Sequence, residues 1–353
     1  MKNFSNIIYI ATAEKKAVGG IKIIYDHCQV INNLNSKSLS SEILHLKKKK
    51  ITKWKESWQK FSKIYNKNKF SGWSFQEMKI DSKFRAEWFK NNIKVKKNLK
   101  FNKDKDFIIF PEIFAHFAKD LCLKNNIRYG IYALNGYSLN PTNDYKTLEE
   151  VYSKAEFIMA ISDDIIKCLK IAFPKININK VIKINIAVNK NKFNFKLKKK
   201  NMITYMPRKI PDHAETILFF VRNHISKKWK IQKIHALKER DVFNLLSQSK
   251  IFLSITKSEG LGMPAIEAAI AGNKVIGYTG EGGKEFWKKP IFTEIPHGNA
   301  IKFASEIIKA TKEKLPKFKF KNQRNKIINK FSSKNEKAKL LKIINLINKR
   351  KRS

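Results

Sequence analysis

Ser258-Glu259-Gly260-Leu261-Gly262-Met263-Pro264-Ala265-Ile266-Glu267-Ala268-Ala269-Ile270-Ala271-Gly272 decides how this chain is read. An apolar run, Ile251-Phe252-Leu253-Ser254-Ile255, leads into it and reads as a buried strand. Gly260 and Gly262 make a loop whose backbone can approach a ligand closely. Pro264 suits the first helical position and Gly272 the residue just past the end, so the spacing predicts a helix between them. The N-terminus of that helix turns unpaired N–H groups and a positive dipole end towards the loop, a ready site for an anion such as a diphosphate. Glu267 is expected in the first turn, where a carboxylate also stabilises the helix end, and Glu259 on the loop before it. Two carboxylates beside an anion would repel it unless both are aimed at hydroxyls, and sugar or ribose hydroxyls are the natural partners.

Working outward, the same alternation of strand and helix recurs on both sides. Residues 7–11 read as a strand, followed by a loop closing in Val18-Gly19-Gly20. Ile21, Ile24, Tyr25, Cys28, Ile31 and Leu34 then fall at helical spacing, one apolar face for packing on a sheet. Further strands are expected at 41–46, 107–110, 129–133 and 157–161, and later at 202–206 and 275–278. A helix is expected from about 212 to 222. Between 47 and 100 no period persists, although Trp54, Trp58, Trp73 and Trp88 imply packed structure. Apolar strands separated by helix-length pieces imply an α/β chain with mostly parallel sheets covered on both faces. The basic, aperiodic stretch around 191–200 is read as a linker between a domain at 1–190 and a second at 201–331. Residues 332–353 read as a closing helix able to cross back to the N-terminal domain. Ser333 and Glu336 have capping-box spacing there, and Leu340, Ile343, Ile344 and Ile347 form one stripe.

Composition bounds the partners. The chain has 353 residues, a size at which two domains are the default, and 42% hydrophobic residues, enough for sizeable cores. Its three cysteines, Cys28, Cys122 and Cys168, are widely spaced, which argues against a disulfide framework or a structural zinc and suits a reducing cytoplasm. The apolar run after the N-terminus is too short for a signal peptide, and no segment is long enough to span a bilayer. A formal charge of +45 suggests nucleic acid or an anionic surface. Only eight of the 74 basic residues are arginines, however, and the chain is also crowded with Asn, Ile and Phe, the mixture AT-rich codons produce. Base-reading proteins favour the arginine fork, so no specific nucleic acid is expected. The runs Lys47-Lys48-Lys49-Lys50 and Lys349-Arg350-Lys351-Arg352 read first as solvated surface and second as contacts to an anionic membrane surface.

Glu259 and Glu267, with seven residues between them, resemble the E-x7-E signature of retaining glycosyltransferases of the GT-B fold grouped as family 4. The surrounding glycines, Pro264 and the two flanking strands match that context, and Gly280-Glu281-Gly282-Gly283-Lys284-Glu285-Phe286 is similar to the next loop of a bacterial branch. The resemblance implies two Rossmann-like domains whose parallel sheets face a central cleft. It implies a nucleotide-sugar donor, a glycan or lipid-linked acceptor, retention of configuration in surface polysaccharide synthesis, and no metal or cofactor. Glu267 would hold the ribose hydroxyls, and Glu259 the transferred sugar. Arg208, in Tyr205-Met206-Pro207-Arg208-Lys209 at a strand end, would grip the diphosphate. The family places a lysine five residues after that arginine; here His213 stands there, and Lys209 becomes the substitute. Gly260, Leu261 and Gly262 line the donor, joined by Gly19 and Gly20, which resemble the family's first glycine pair.

On the acceptor side, Pro111-Glu112 follows the strand at 107–110, and His116 shares the face of Glu112 if that stretch is α-helical. Asn135-Gly136-Tyr137 is similar to an Asn-containing loop of the same branch, and His27 reads as structural. The rival readings are a nucleotide-sugar epimerase of the same fold and a basic nucleic-acid-binding protein. The implied place of work is cytoplasmic, peripheral on the inner membrane face.

Overall fold

The computed structural model describes residues 6–16, 18–34, 39–49, 74–142, 144–207, 209–313 and 317–349. Arg208, Lys50, Trp54, Trp58, Trp73 and Arg350-Lys351-Arg352 lie outside them. The chain divides into two compact units. One comprises Met1–Ile161, Ile165–Ile184 and Lys337–Ser353; the other comprises Ser162–Asp164 and Asn185–Glu336.

In the first unit the elements run β1 (Asn6–Thr12), α1 (Gly19–Asn32), β2 (Ser40–Lys48), β3 (Met78–Ile80), β4 (Asp106–Pro111), α2 (Ala118–Leu121), β5 (Tyr129–Ala133), α3 (Tyr145–Lys154), β6 (Ile158–Ala160), α4 (Asp163–Ala172) and β7 (Val181–Lys183). They build a seven-stranded sheet of order β3-β2-β1-β4-β5-β6-β7, parallel except for the antiparallel edge strand β3. β1, β4 and β5 are apolar almost without interruption because they are central and covered on both faces. The stripe on α1 is buried as its spacing requires, through Ile21, Ile24, Tyr25, Cys28 and Ile31, while Leu34 lies past the helix end.

The segment after β3 carries no period because rings and single backbone bonds hold it in place. Trp88 packs on Tyr25 at 5.0 Å, and its indole N–H donates to the Glu14 carbonyl at 3.0 Å. Phe84 meets His45 edge-on, and Lys96 N–H donates to the Ile43 carbonyl.

In the second unit come β8 (Lys200–Tyr205), α5 (Pro211–Val221), β9 (Lys230–Lys233), α6 (Glu239–Gln248), β10 (Ser249–Ser254), α7 (Met263–Ile270), β11 (Lys274–Gly277), β12 (Phe292–Glu294), α8 (Ala300–Lys312) and α9 (Lys317–Lys330). Its sheet is wholly parallel, in the order β12-β11-β10-β8-β9. Ile203, Ile217, Leu253, Ile276 and Phe303 are at the centre of its core. Both units are thus parallel-sheet, Rossmann-like α/β domains. The basic stretch before β8 is ordered against this unit: Phe193 meets Phe243 edge-on at 4.8 Å.

The last helix, α10 (Ser333–Lys349), starts in the second unit and continues in the first from Lys337 onward. Its buried face is the expected one, Leu340, Ile343, Ile344 and Ile347. The expected capping box is not what starts it. Ser332 supplies the cap, its hydroxyl accepting from Asn335 N–H, while the buried Glu336 carboxylate accepts from Ala187 N–H at 2.9 Å. Among the described residues no helix is long and apolar enough to cross a membrane.

Candidate functional site

In a parallel sheet, ligands gather at the carboxyl ends of strands where the chain reverses its direction of winding. In the second unit that point lies between β8 and β10, since β9 sits on one side of β8 and β10 on the other. The loop after β10 carries Glu259, Gly260, Leu261 and Gly262, and the loop after β8 carries Lys209. The topology therefore brings together residues 50 positions apart. Lys209 Nζ lies 2.8 Å from Glu259 Oε1 and donates to the Ser258 carbonyl at 2.9 Å. Thr256 Oγ1 donates to the same Glu259 oxygen at 2.7 Å. Oε1 is thus fixed from two sides, while Oε2 has no protein partner among the described residues.

The backbone of this loop is braced by the one after β11. Glu259 N–H donates to the Gly280 carbonyl at 2.8 Å, and the Gly282 N–H returns to the Glu259 carbonyl at 3.3 Å. This interlock demands glycine at 282, where a Cβ would sit 2.1 Å from the Gly260 oxygen. Gly262 then caps α7 with φ at +79°, a left-handed conformation that costs other residues strain. Leu261 turns its side chain into the core, so the backbone is what it offers a ligand.

Two details of the helix differ from expectation. α7 begins at Met263, so Pro264 occupies the second position and Glu267 stands in the second turn; no acidic residue lies in the first. Glu267 is half-buried there, one turn behind the N–H groups that point at the loop. Simple stabilisation of the helix end therefore explains Glu267 less well than it would from the first turn. The far end closes as expected, with Gly272 N–H bonded to Ala269 and Asn273 N–H to Ala268.

His213, in the first turn of α5, bonds through Nε2 to the Tyr278 hydroxyl. The Tyr278 ring lies 4.9 Å from His297. Burial, and then His297, push the His213 imidazole below the usual histidine range, so it is a weak replacement for a permanent lysine charge. Sequence reasoning did not single out Thr256, Tyr278 or His297. The available signal was their position just after β10, β11 and β12, where strand ends point.

In the first unit the switch point falls between β1 and β4. Gly19 and Gly20 open α1 there, and a Cβ on Gly19 would meet nothing within 4 Å. Glu112 follows β4 directly, opening the next helical turn, and is buried; its carboxylate accepts from Leu134 N–H at 2.9 Å, yet burial still pushes it up to about 7. His116 does not share its face. Residues 112–117 form a 3₁₀ helix, with three residues per turn, so position 115 rather than 116 lies over Glu112. The His116 ring packs on Phe117 instead, at 4.2 Å. Asn135 caps the turn that follows β5, accepting from Tyr137 N–H. His27 is buried and stacked on Tyr132 at 5.5 Å. Among the described residues no three His, Cys, Asp or Glu side chains group as metal ligands would.

No protein-family model matches the sequence, and no curated protein does. Solved structures match the fold. The pneumococcal O-GlcNAc transferase GtfA, in complex with UDP and GlcNAc, superposes with a TM-score of 0.53 at 15% identity over 70% of this chain. The chain spans 57% of that protein's length. HepE from Anabaena, in complex with UDP, superposes with a TM-score of 0.65 at 9% identity, covering 96% of this chain and 99% of its own. The lipopolysaccharide outer core galactosyltransferase WaaB, in its apo form, gives 0.61 at 14% identity over 96% and 99%. At such identities the likeness speaks for architecture alone: the chain has the GT-B fold, two Rossmann-like α/β domains.

Proposed function

We propose that this protein is a glycosyltransferase that binds a nucleotide-diphosphate sugar at the carboxyl edge of its second sheet. The observation that carries this is Glu259 on the Gly260–Gly262 loop that opens α7, with Glu267 one turn into that helix and Lys209 arriving from the loop after β8. The helix end and the lysine meet the diphosphate, and the carboxylates meet hydroxyls. Two proteins of the same fold hold UDP, which makes UDP the first nucleotide to try. In this reading Glu267 takes the ribose and Glu259 the transferred sugar, and Arg208 shares the diphosphate with Lys209. Transfer retains configuration, belongs to family 4 chemistry, and serves a glycan or lipid-linked acceptor in surface polysaccharide synthesis. Preorganised cations and N–H groups, rather than a bound metal, balance the leaving group, so EDTA leaves the rate unchanged.

Calorimetry with UDP, GDP, ADP and their sugars tests the reading. One nucleotide diphosphate should bind well above the others, and Glu267→Ala should weaken it by roughly 10- to 150-fold, the loss of about 1.5–3 kcal/mol for a charge-assisted hydrogen bond. Absence of binding to every nucleotide, or unchanged affinity in Glu267→Ala, overturns it.

A further inference from the structure

The opposite edge of the second sheet carries a separate feature. Residues that precede strands rather than follow them, Lys199 before β8 and Gly272 before β11, meet α9 around a cavity of about 400 Å³. That volume is within the range of small-molecule sites, about 300–1,000 Å³. Its cationic lining is Lys199, Lys321 and Arg324, and no carboxylate lines it. The two segments that wall it, 190–200 and 317–330, contain no acidic residue at all.

Two of these cations are built in rather than scattered. Arg324 is stacked over Phe195 at 4.4 Å and donates from Nε to the Ile270 carbonyl at 2.7 Å, which leaves its two Nη groups without a protein acceptor among the described residues. Lys199 Nζ donates to Asn273 Oδ1 at 2.7 Å and to the Leu246 carbonyl at 3.0 Å. The point where a Cβ on Gly272 would stand is 3.7 Å from Lys199 Cε and 3.8 Å from Arg324 Nη1, so the two cations flank one spot, and glycine keeps it open. Burial, and secondarily Arg324, push Lys199 down to about 7. Capping helix carbonyls accounts for Nε of Arg324 and for Lys199, but not for the idle guanidinium edge, the exposed Lys321 or the cavity. The lining is aromatic as well as basic: Phe195, 48% exposed, and Phe320 face the cavity.

We propose that this cavity receives a phosphate group, gripped by the free edge of Arg324 with Lys321 and Lys199 beside it. The site lies at the amino edge of the sheet and is independent of the donor reading, which concerns the carboxyl edge. A soluble phosphomonoester and the headgroup of an anionic lipid share this chemistry.

The test uses the full chain at physiological salt. Inorganic phosphate and glycerol phosphate are titrated calorimetrically, and vesicles of phosphatidylcholine with and without phosphatidic acid are sedimented with the protein. Arg324→Gln and Lys321→Gln are compared with Lys227→Gln, which removes the same charge from an exposed loop of the same unit. Lys321 is exposed, so its variant carries the test even if Arg324→Gln fails to fold. Binding should weaken at least tenfold in both cavity variants and hold in Lys227→Gln. Loss in solution identifies a soluble phosphate, and loss on vesicles alone identifies a lipid headgroup; either supports the site. No binding to any probe, or equal weakening in all three variants, overturns it and leaves only general attraction to a chain of charge +45.

Discussion

Glu259 shows how a single carboxylate can be oriented by its neighbours. One oxygen is pinned by Lys209 and Thr256, so the side chain is oriented without being used up. The ion pair is partly exposed, so it adds at most a few tenths of a kcal/mol to stability. Lys209→Gln should therefore leave the melting temperature within a degree or so while turnover falls more than donor affinity. An equal fall in both would reduce Lys209 to a uniform binding contact. Two buried groups of the first unit allow a sharper test with pH. His45 is 1% exposed, and burial lowers it to about 4, with Asp81 opposing and Arg85 assisting. Its contribution to stability is complete above the ordinary value of 6.5 and is lost as pH falls towards 4. Glu112 is raised to about 7, so its contribution is complete below 4.5 and is lost as pH rises towards 7. Each amounts to roughly 3 kcal/mol at most, and between 4.5 and 6.5 they oppose one another. His45→Gln should gain on the parent protein as pH falls, and Glu112→Gln should gain as pH rises. Urea unfolding across pH checks this; parallel stability curves would refute it.

At the scale of elements, the Gly260–Gly262 loop is a clasp between two βα turns rather than a free glycine loop. Gly282 lies against the Gly260 carbonyl, and Glu281 takes a left-handed φ of +68° to keep the pairing with Glu259. Gly282→Ala must push that backbone apart, at a cost of about 2–3 kcal/mol, and should abolish nucleotide binding with it. Gly19→Ala is the contrasting case, because the new methyl meets nothing. Its melting temperature should hold, or rise slightly, while sugar transfer slows where a ligand needs that space. Thermal melts beside transfer assays separate the two; a destabilised Gly19→Ala would show that the space is structural. Helices were legible where stripe and punctuation agreed, as for α1 and the Gly272 end of α7. They were misread by a residue or two at their starts, because Met263 and Ser332 win those positions through backbone geometry that no local pattern displays.

For the whole molecule the charge of +45 is the largest feature and the least specific. Attraction of nucleic acid to such a chain rests on counterion release, so its affinity should collapse between about 50 and 200 mM salt. Donor binding as proposed would rest on a few part-buried contacts at a helix end and should change far less across that series. Sequence-selective nucleic-acid binding that survives physiological salt would overturn the transferase reading. What the sequence determined by itself is everything carried by neighbours along the chain. The apolar runs require central parallel strands, the stripe on α1 requires a buried face, and Gly272 closes the helix that follows the glycine loop. What only the tertiary structure decided is partnership across distance. Lys209 with Glu259, His213 with Tyr278, Glu336 with Ala187 and Lys199 beside Arg324 are separated by 50 to 149 positions. The first two meetings follow from the order β12-β11-β10-β8-β9, and the other two from where the closing helices pack. Strand order is set by burial of both sheet faces and by the closure of long connections, and neither leaves a mark in any short window of residues.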